Sequence, residues 1–271
     1  DPHPSAKAVL RRMLIITIVG IITFSVFRIS ESGTLSRIHF WWLTLAFILN
    51  PVFILFKSAS NYLMLDRRHQ CTFPDFIQIQ YRAYAVSVAT FTGNIGGDIS
   101  LYSQINQFHD KASALKKVLG MRLVATAGAA FFLIAFLPSE WIPRALIAAS
   151  GLLIAICLIP KISKTGFYIF FSLVATLSQY IQILVIAKSF DIPFSLEILR
   201  TIVGAHFCKS LLAVPLGLGV TDGFFYYFLR DDLTGAGLVA FLIIIRLAGE
   251  LMTGSIGAWL MWKDETPKAS S

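Results

Sequence analysis

Seven ionisable residues lie within or beside long apolar segments of this chain, where a charge is costly. They are Asp98, Arg122, His206, Lys209, Asp222, Arg246 and Glu250. A cationic side chain near the centre of a bilayer costs about 2.5 to 3.5 kcal/mol on insertion scales, so such residues usually face a protein interior. These seven residues are therefore candidates for binding chemistry.

The spacing of these residues leaves two interpretations open for most of them. Arg246 and Glu250 stand four residues apart on one helical face, so they can form an internal salt bridge or one side of a ligand site. His206 and Lys209 also share a face, which allows a head-group or proton-relay role, although a lone His is often an ordinary interior residue. Arg122 lies one turn inside its apolar segment, where snorkelling to the surface competes with binding.

Two carboxylates follow glycine-rich turns at the same distance. Gly93 precedes Asp98 by five positions, as Gly217 precedes Asp222. The same turns also contain Gly96, Gly97, Pro215 and Gly219. Glycine permits a tight turn and close approach of a ligand, and helix N-termini at such a turn suit a phosphate. The alternatives are that the glycines serve only helix packing and that the carboxylates carry protons, bind a cation or cap the following helices.

The elements that must position these residues are apolar helices. Of the 271 residues, 56% are hydrophobic and 14% are charged, and the mean hydropathy is +0.72. A soluble domain of this length cannot hide so much apolar surface, whereas about 20 apolar residues cross a bilayer. The six predicted spans are Met13–Phe27, His39–Phe56, Leu119–Leu137, Trp141–Pro160, Phe167–Ala187 and Ala236–Trp262. A signal peptide is the alternative for the first span, but no small-residue cleavage site follows it.

The distribution of basic residues predicts the topology. Lys7, Arg11 and Arg12 precede the first span, which places the N-terminus in the cytoplasm. The segment Tyr84–Ile105 is broken by glycines and flanked on both sides by basic loops, so we predict a re-entrant hairpin rather than a crossing. Leu199–Phe228 is predicted to be a second hairpin that enters from the opposite side. Both termini are then cytoplasmic, as expected for a multi-pass protein of the cell (inner) membrane.

These elements predict an all-α polytopic membrane protein with about six transmembrane helices and two re-entrant hairpins. Residues 1–271 form one membrane domain in this prediction, and the inverted halves cover about 13–137 and 141–262. Interrupted apolar segments at corresponding places in inverted halves indicate a binding site near the midplane. A turn at that depth must be buried in protein or line a wet cavity, because lipid cannot satisfy its backbone polar groups.

Several other classes of function are disfavoured. The net charge of +8 could indicate a nucleic-acid partner, but no soluble domain is predicted to carry a basic face. The cysteines Cys71, Cys157 and Cys208 suggest neither a disulfide framework nor a zinc site. No DxD, HExxH, GxSxG or Walker pattern occurs, and Asp231–Asp232 is too little to define a metal site. We therefore expect no metal and no cofactor.

One run of residues resembles a known family. The run from Pro215 to Asp222, followed one span later by Arg246, is similar to the second signature of the lysylphosphatidylglycerol synthase transmembrane-region family, also called flippase-like membrane proteins. In that signature a proline and two glycines precede an acidic residue. The resemblance covers nearly the whole chain, and Arg122 on the span after the first hairpin also fits the family pattern.

The first hairpin departs from this family. Members usually carry Pro-Gly-Arg-x-Gly-Glu there, whereas this chain keeps only Gly97 and an acidic residue, Asp98. Gly93 stands at the position of the proline, and Ile95 stands at the position of the arginine. The loss of that arginine leaves room for a head group that differs from the family's usual substrate.

The resemblance implies a role in moving or handling lipids. The family's best understood member fuses this module to a cytosolic aminoacyltransferase that charges phosphatidylglycerol, and its membrane part is associated with flipping the product. Other relatives are linked to hopanoid transport or to sugar transfer from a dolichol carrier. Only a few residues follow Trp262 here, so we do not expect lipid aminoacylation by this chain alone.

The resulting expectation is a flippase-like lipid translocase or transporter that binds an anionic phospholipid or polyprenyl-phosphate head group. The alternatives are a membrane glycosyltransferase or lipid-modifying module that uses a polyprenyl-linked donor, and a scaffold for a separately encoded cytosolic enzyme. The expected head-group site comprises Gly93, Gly96, Gly97, Asp98, Arg122, His206, Lys209, Pro215, Gly217, Gly219, Asp222, Arg246 and Glu250.

Overall fold

The computed structural model describes residues 38–65, 71–89, 94–136, 165–211, 220–230, 233 and 235–263. Throughout these ranges the regular structure is helical, and they contain no strand. The helices are α1 (Phe40–Tyr62), α2 (Phe73–Ala89), α3 (Asn94–Ile105), α4 (Lys111–Phe136), α5 (Thr165–Ser189), α6 (Leu196–Leu211), α7 (Val220–Leu229), α8 (Gly235–Arg246) and α9 (Met252–Lys263). A π-helical turn, Leu247–Leu251, joins α8 to α9 without a break.

Four helices are long and apolar enough to cross a membrane. They are Phe40–Tyr62, Lys111–Phe136, Gly166–Ser189 and Gly235–Lys263. Their 23, 26, 24 and 29 residues are enough for a hydrocarbon core of about 30 Å at about 1.5 Å per residue. The prediction of an all-α fold is confirmed for the described residues, and these four helices are candidate membrane spans. The predicted spans Met13–Phe27 and Trp141–Pro160 lie outside the described residues.

Polar side chains begin three of the helices. Before α2, Thr72 and Asp75 bond reciprocally in a capping box, with Thr72 N–H donating to Oδ2 of Asp75 at 3.3 Å and Asp75 N–H donating to Oγ1 of Thr72 at 3.4 Å. Before α4, Asp110 accepts from the backbone N–H of Ser113 at 2.9 Å. Before α6, Ser195 accepts from the N–H of Ile198 at 3.2 Å in the same way.

One predicted boundary was wrong by two turns. The span predicted to begin at Leu119 belongs to α4, which begins at Lys111. Lys111, Lys116 and Lys117 were therefore assigned to a loop although they lie on the helix. The run of apolar residues marks only the part of the helix that lipid or the protein core can cover. The helix itself begins earlier, after the Asp110 cap, and its first turns are polar.

The order and the lengths of the helices recur along the chain. Each of α1 to α4 has a counterpart helix about 124 residues later in the chain. When 124 is added to the number of its first residue, the result lies within two residues of the start of the counterpart. The counterparts are α5, α6, α7 and the continuous helix formed by α8 and α9. We call α1–α4 the first set and α5–α9 the second set.

The two sets exchange equivalent contacts. Helices α1 and α5, which are counterparts, pack along each other in antiparallel directions: His39 N–H at the start of α1 donates to the carbonyl of Ser189 at 3.0 Å, and Ser60 Oγ near its end donates to the carbonyl of Tyr168 at 3.0 Å. Helix α2 packs on α9, and its counterpart α6 packs on α4. Neither set therefore forms a bundle of its own.

Helix α9 approaches α2 unusually closely at Gly257. A Cβ on Gly257 would lie 1.9 Å from the carbonyl oxygen of Tyr81, and one on Gly254 would lie 3.0 Å from Cγ2 of Val88. Small residues let helix backbones approach in this way in membrane proteins. The contact holds α2 against the end of the second set.

Large apolar side chains cover the outer surface of the bundle. Trp41 near the start of α1 is 76% exposed, and Trp259 and Trp262 near the end of α9 are also exposed. Lys263 stands over the ring of Trp259, 5.6 Å from its centroid. Tryptophan with nearby cations at helix ends is typical of membrane interfaces, which fits the four candidate spans.

Candidate functional site

Both sets of helices line a single cavity of about 210 Å³. Seven charged side chains of the described residues face it, namely Lys57, Asp98, Arg122, Lys209, Asp222, Arg246 and Glu250. Six of these were sequence candidates, and the structure brings them together from five different helical segments. His206 lines the same cavity, and its ring packs edge-on against Tyr180 with the centroids 5.3 Å apart.

Asp98 and Arg122 form an ion pair between α3 and α4. Gly97 allows α3 to lie close to α2, since a Cβ there would be 3.3 Å from the carbonyl oxygen of Ala83. Asp98 is the fifth residue of α3, so the N-cap interpretation was wrong for it. Arg122 turns inward to its carboxylate and does not snorkel to the surface. Both side chains remain about a quarter to a third exposed to the cavity.

Asp222 and Arg246 form the equivalent pair in the second set. Nη2 of Arg246 donates to both carboxylate oxygens of Asp222, at 2.8 Å and 3.0 Å. In each set 24 residues separate the aspartate from its arginine, and 124 residues separate the two pairs. This repeated spacing is a signal that could have paired the residues from the sequence.

The second set extends its pair into a network. Nη1 of Arg246 donates to Glu250 at 3.2 Å, and Glu250 also accepts from Nζ of Lys209 on α6. The internal salt bridge between Arg246 and Glu250, one of the two sequence interpretations, is therefore present. Two cations and two carboxylates, counting Asp222, neutralise each other at this wall of the cavity.

A π-helical turn sets the geometry of that network. Its wider winding takes carbonyls out of the α-helical bonding pattern, and such turns are frequent at functional sites. Nδ2 of Asn50 donates to the carbonyls of Ala248 and Gly249 at 2.5 Å and 2.8 Å, and Nε2 of Gln182 donates to Ala248 at 3.0 Å. Side chains of α1 and α5 thus hold Glu250 in position beside the cavity.

Lys57 is a site residue that sequence reasoning missed. It was assigned to the basic loop after the span predicted to end at Phe56, but α1 continues to Tyr62. Its Nζ donates to Oη of Tyr84 at 2.7 Å and lies 5.0 Å from the centroid of that ring. No carboxylate of the described chain lies within 4.0 Å of it. The spacing of Asn50, Lys57 and Asn61, at seven and four residues, could have revealed a polar stripe on one face of α1.

The glycines of the expected site divide into two groups. Gly96 and Gly97 lie in the first turn of α3, and Gly97 lines the cavity. The other turn residues of the expected site lie outside the described residues, namely Gly93, Pro215, Gly217 and Gly219. In the ranges that the structure describes, no three His, Cys, Asp or Glu side chains are grouped so as to hold a metal ion.

The described residues form an all-α structure with four candidate membrane-spanning helices and a charged internal cavity. Comparisons with family models, curated proteins and solved structures find no match.

Proposed function

We propose that this chain is a membrane translocase that moves an anionic lipid head group through the cavity. The observation that carries the proposal is a cavity with four cations and three carboxylates inside a bundle with four helices able to span a membrane. Charges at such depth are costly unless they serve a pathway or a binding site. An anionic head group is a ligand that this surplus of cations favours.

An inverted repeat is part of the proposal. The antiparallel packing of α1 and α5 supports it, because two counterpart helices that run in opposite directions imply two sets with opposite orientation in a bilayer. Helices α3 and α7, with 12 and 10 residues, extend only about 18 Å and 15 Å and are too short to cross. We propose that α2–α3 and α6–α7 are the arms of two re-entrant hairpins.

We propose on the same grounds that the chain belongs to the flippase-like family. The family pattern assigns an acidic residue to each hairpin and an arginine to the following span. The ion pairs of Asp98 with Arg122 and of Asp222 with Arg246 give those positions a shared physical role. We also propose the cell membrane as the location, with both termini cytoplasmic, and phospholipid or polyprenyl phosphate as the transported partner.

The arrangement suits a singly charged head group. The cavity has one more cation than it has carboxylates, so such a head group can enter without displacing an existing ion pair. Each carboxylate then keeps its counter-ion and the surplus cation gains one, which limits the free-energy cost of occupancy. The acyl chains remain in the lipid while the head group follows the polar path.

Reconstituted vesicles provide the test. Phosphatidylcholine vesicles with the full chain and a trace of tail-labelled phosphatidylglycerol or polyprenyl phosphate should show faster exchange between leaflets than protein-free vesicles. Arg246→Ala and Asp222→Asn should slow the exchange at least about tenfold, equivalent to about 1.4 kcal/mol. The matched controls are Arg230→Ala and Glu197→Gln, two exposed residues away from the cavity, which should keep the wild-type rate. Unchanged exchange for every lipid class tested would contradict the translocase.

A further inference from the structure

One cation of the cavity differs from the others in its counter-ions. Asp98 pairs with Arg122, while Asp222 and Glu250 together neutralise the two cations of the second set. Lys57 is left with a phenol and aromatic faces as its contacts in the described chain. The described cavity therefore has four cations for three carboxylates, and Lys57 is the cation that forms no salt bridge with a described residue.

Two further donors accompany Lys57. Gln80 stands one turn before Tyr84 on α2, and both line the cavity. Gln80 is only 3% exposed, yet its Nε2 has no hydrogen-bond partner among the described residues. Tyr84 accepts the bond from Lys57, so its own hydroxyl hydrogen remains for another acceptor. A buried amide donor without a partner is unfavourable unless a ligand or a water completes it.

The repeated arrangement of helices does not require these donors. The residues 124 positions after Lys57, Gln80 and Tyr84 are Ile181, Gly204 and Cys208. The aspartate and arginine pairs recur in both sets, whereas this donor group occurs in the first set alone. A purely architectural role would have been met by apolar or small residues, as it is at the counterpart positions.

We propose that Lys57, Gln80 and Tyr84 form a phosphate subsite that selects a singly charged phosphodiester head group. This inference rests on the proposed function only for the lipid origin of the ligand. One negative charge neutralises Lys57 and leaves the existing ion pairs intact. A phosphodiester carries that single charge at neutral pH, whereas a phosphate monoester carries about 1.5 to 2. The two non-bridging oxygens accept from the ammonium, the amide and the phenol.

Calorimetric titration of the full chain in detergent at pH 7.5 tests the subsite. The probes are short-chain phosphatidylglycerol, a lipid phosphodiester; short-chain phosphatidic acid, a lipid monoester; dimethyl phosphate, a phosphodiester without a lipid; and inorganic phosphate. We expect phosphatidylglycerol to bind most tightly. Phosphatidic acid binding equally well would overturn the selection for a single charge. Dimethyl phosphate binding as tightly as phosphatidylglycerol would overturn the lipid origin and leave the phosphodiester subsite supported.

Two variants with matched controls identify the residues. Lys57→Met and Gln80→Leu should each weaken phosphatidylglycerol binding at least about tenfold, while Lys57→Arg, which keeps the charge, should retain most of it. Lys188→Met and Gln107→Leu make the same changes at exposed positions and should bind like the wild type. Unchanged binding by both cavity variants would overturn the subsite. If Lys57→Met does not fold, the near-isosteric Gln80→Leu decides the outcome.

The vesicle exchange assay separates this inference from the translocase. Lipid exchange that proceeds at the wild-type rate in Lys57→Met and Gln80→Leu would overturn the subsite and leave the translocase standing. If the wild-type protein exchanges no lipid, but binds phosphatidylglycerol and loses that binding in Lys57→Met, the subsite is supported and the translocase is overturned.

Discussion

The cavity wall from the first set can be compared directly with the wall from the second, since a shift of 124 residues relates their helices. Both walls place an aspartate on a short helix and an arginine 24 residues later on a long one. Beyond that pair they diverge, because the second wall adds Lys209 and Glu250 and the first adds Lys57 without a carboxylate. The repeated aspartate and arginine pairs are therefore neutral, and the surplus cation of the cavity belongs to the part of the first wall that has no counterpart in the second.

The helix contacts diverge in the same manner. The contact between α2 and α9 depends on Gly257, whereas the counterpart contact between α6 and α4 has Leu133 at the corresponding position. Backbone approach is thus much closer on one side of the molecule than on the other. The close contact lies beside the wall that carries Gln80 and Tyr84, so it also fixes the donors of the first set.

The largest expected effect comes from filling that close contact. Gly257→Ala should destabilise the fold by about 3 kcal/mol or more, because the added Cβ meets a backbone oxygen at 1.9 Å and a backbone cannot move aside cheaply. Thermal unfolding in detergent measures the loss. Gly223→Ala is the matched control, since a Cβ there meets nothing within 4 Å and alanine favours a helix by about 0.5 to 1 kcal/mol. Equal melting temperatures for the two variants would show that the contact between α2 and α9 does not require glycine at position 257.

An intermediate effect should distinguish the two arginines. Arg246→Met should destabilise the protein by about 3 kcal/mol, because it leaves both Asp222 and Glu250 with fewer counter-ions. Arg122→Met should destabilise it by about 2 kcal/mol, because only Asp98 loses its salt-bridge partner. These figures fall at or below the usual cost of breaking a buried pair, since the cavity screens the charges.

Removal of the stranded carboxylate is the control for that comparison. The double variant Arg122→Met with Asp98→Leu should recover most of the stability lost by Arg122→Met alone, as measured by thermal unfolding. A double variant that is less stable than the single one would show that the pair does more than neutralise charge in the first wall.

The sequence predicts those features of the molecule that depend on local pattern. Apolar length identified the four described spans, and glycine-broken segments indicated the short helices around Asp98 and Asp222. Local spacing indicated the pair of Arg246 with Glu250. The sequence did not predict the pairs between helices, because those depend on how distant helices pack, although the equal spacing of 24 residues was visible. Lys57 was missed for a related reason: a hydropathy window ends a span at the first cation, whereas backbone hydrogen bonding continues the helix for another turn and a half.

The smallest expected effect on stability is at Lys57, and it would sharpen the comparison most. Lys57→Met removes the one cation in the described cavity that no carboxylate balances, and methionine packs adaptably between Phe53 and Tyr84. The free energy of unfolding should therefore change by no more than about 1 kcal/mol in either direction. The variant avoids the cost of desolvating an ammonium, and this gain offsets the lost hydrogen bond to Tyr84. Lys209→Met should instead destabilise the protein by about 2 kcal/mol, because Glu250 loses a counter-ion. A large loss of stability in Lys57→Met would show that this lysine stabilises the fold as the ion-paired residues do. The two walls would then differ in sequence but not in their structural role.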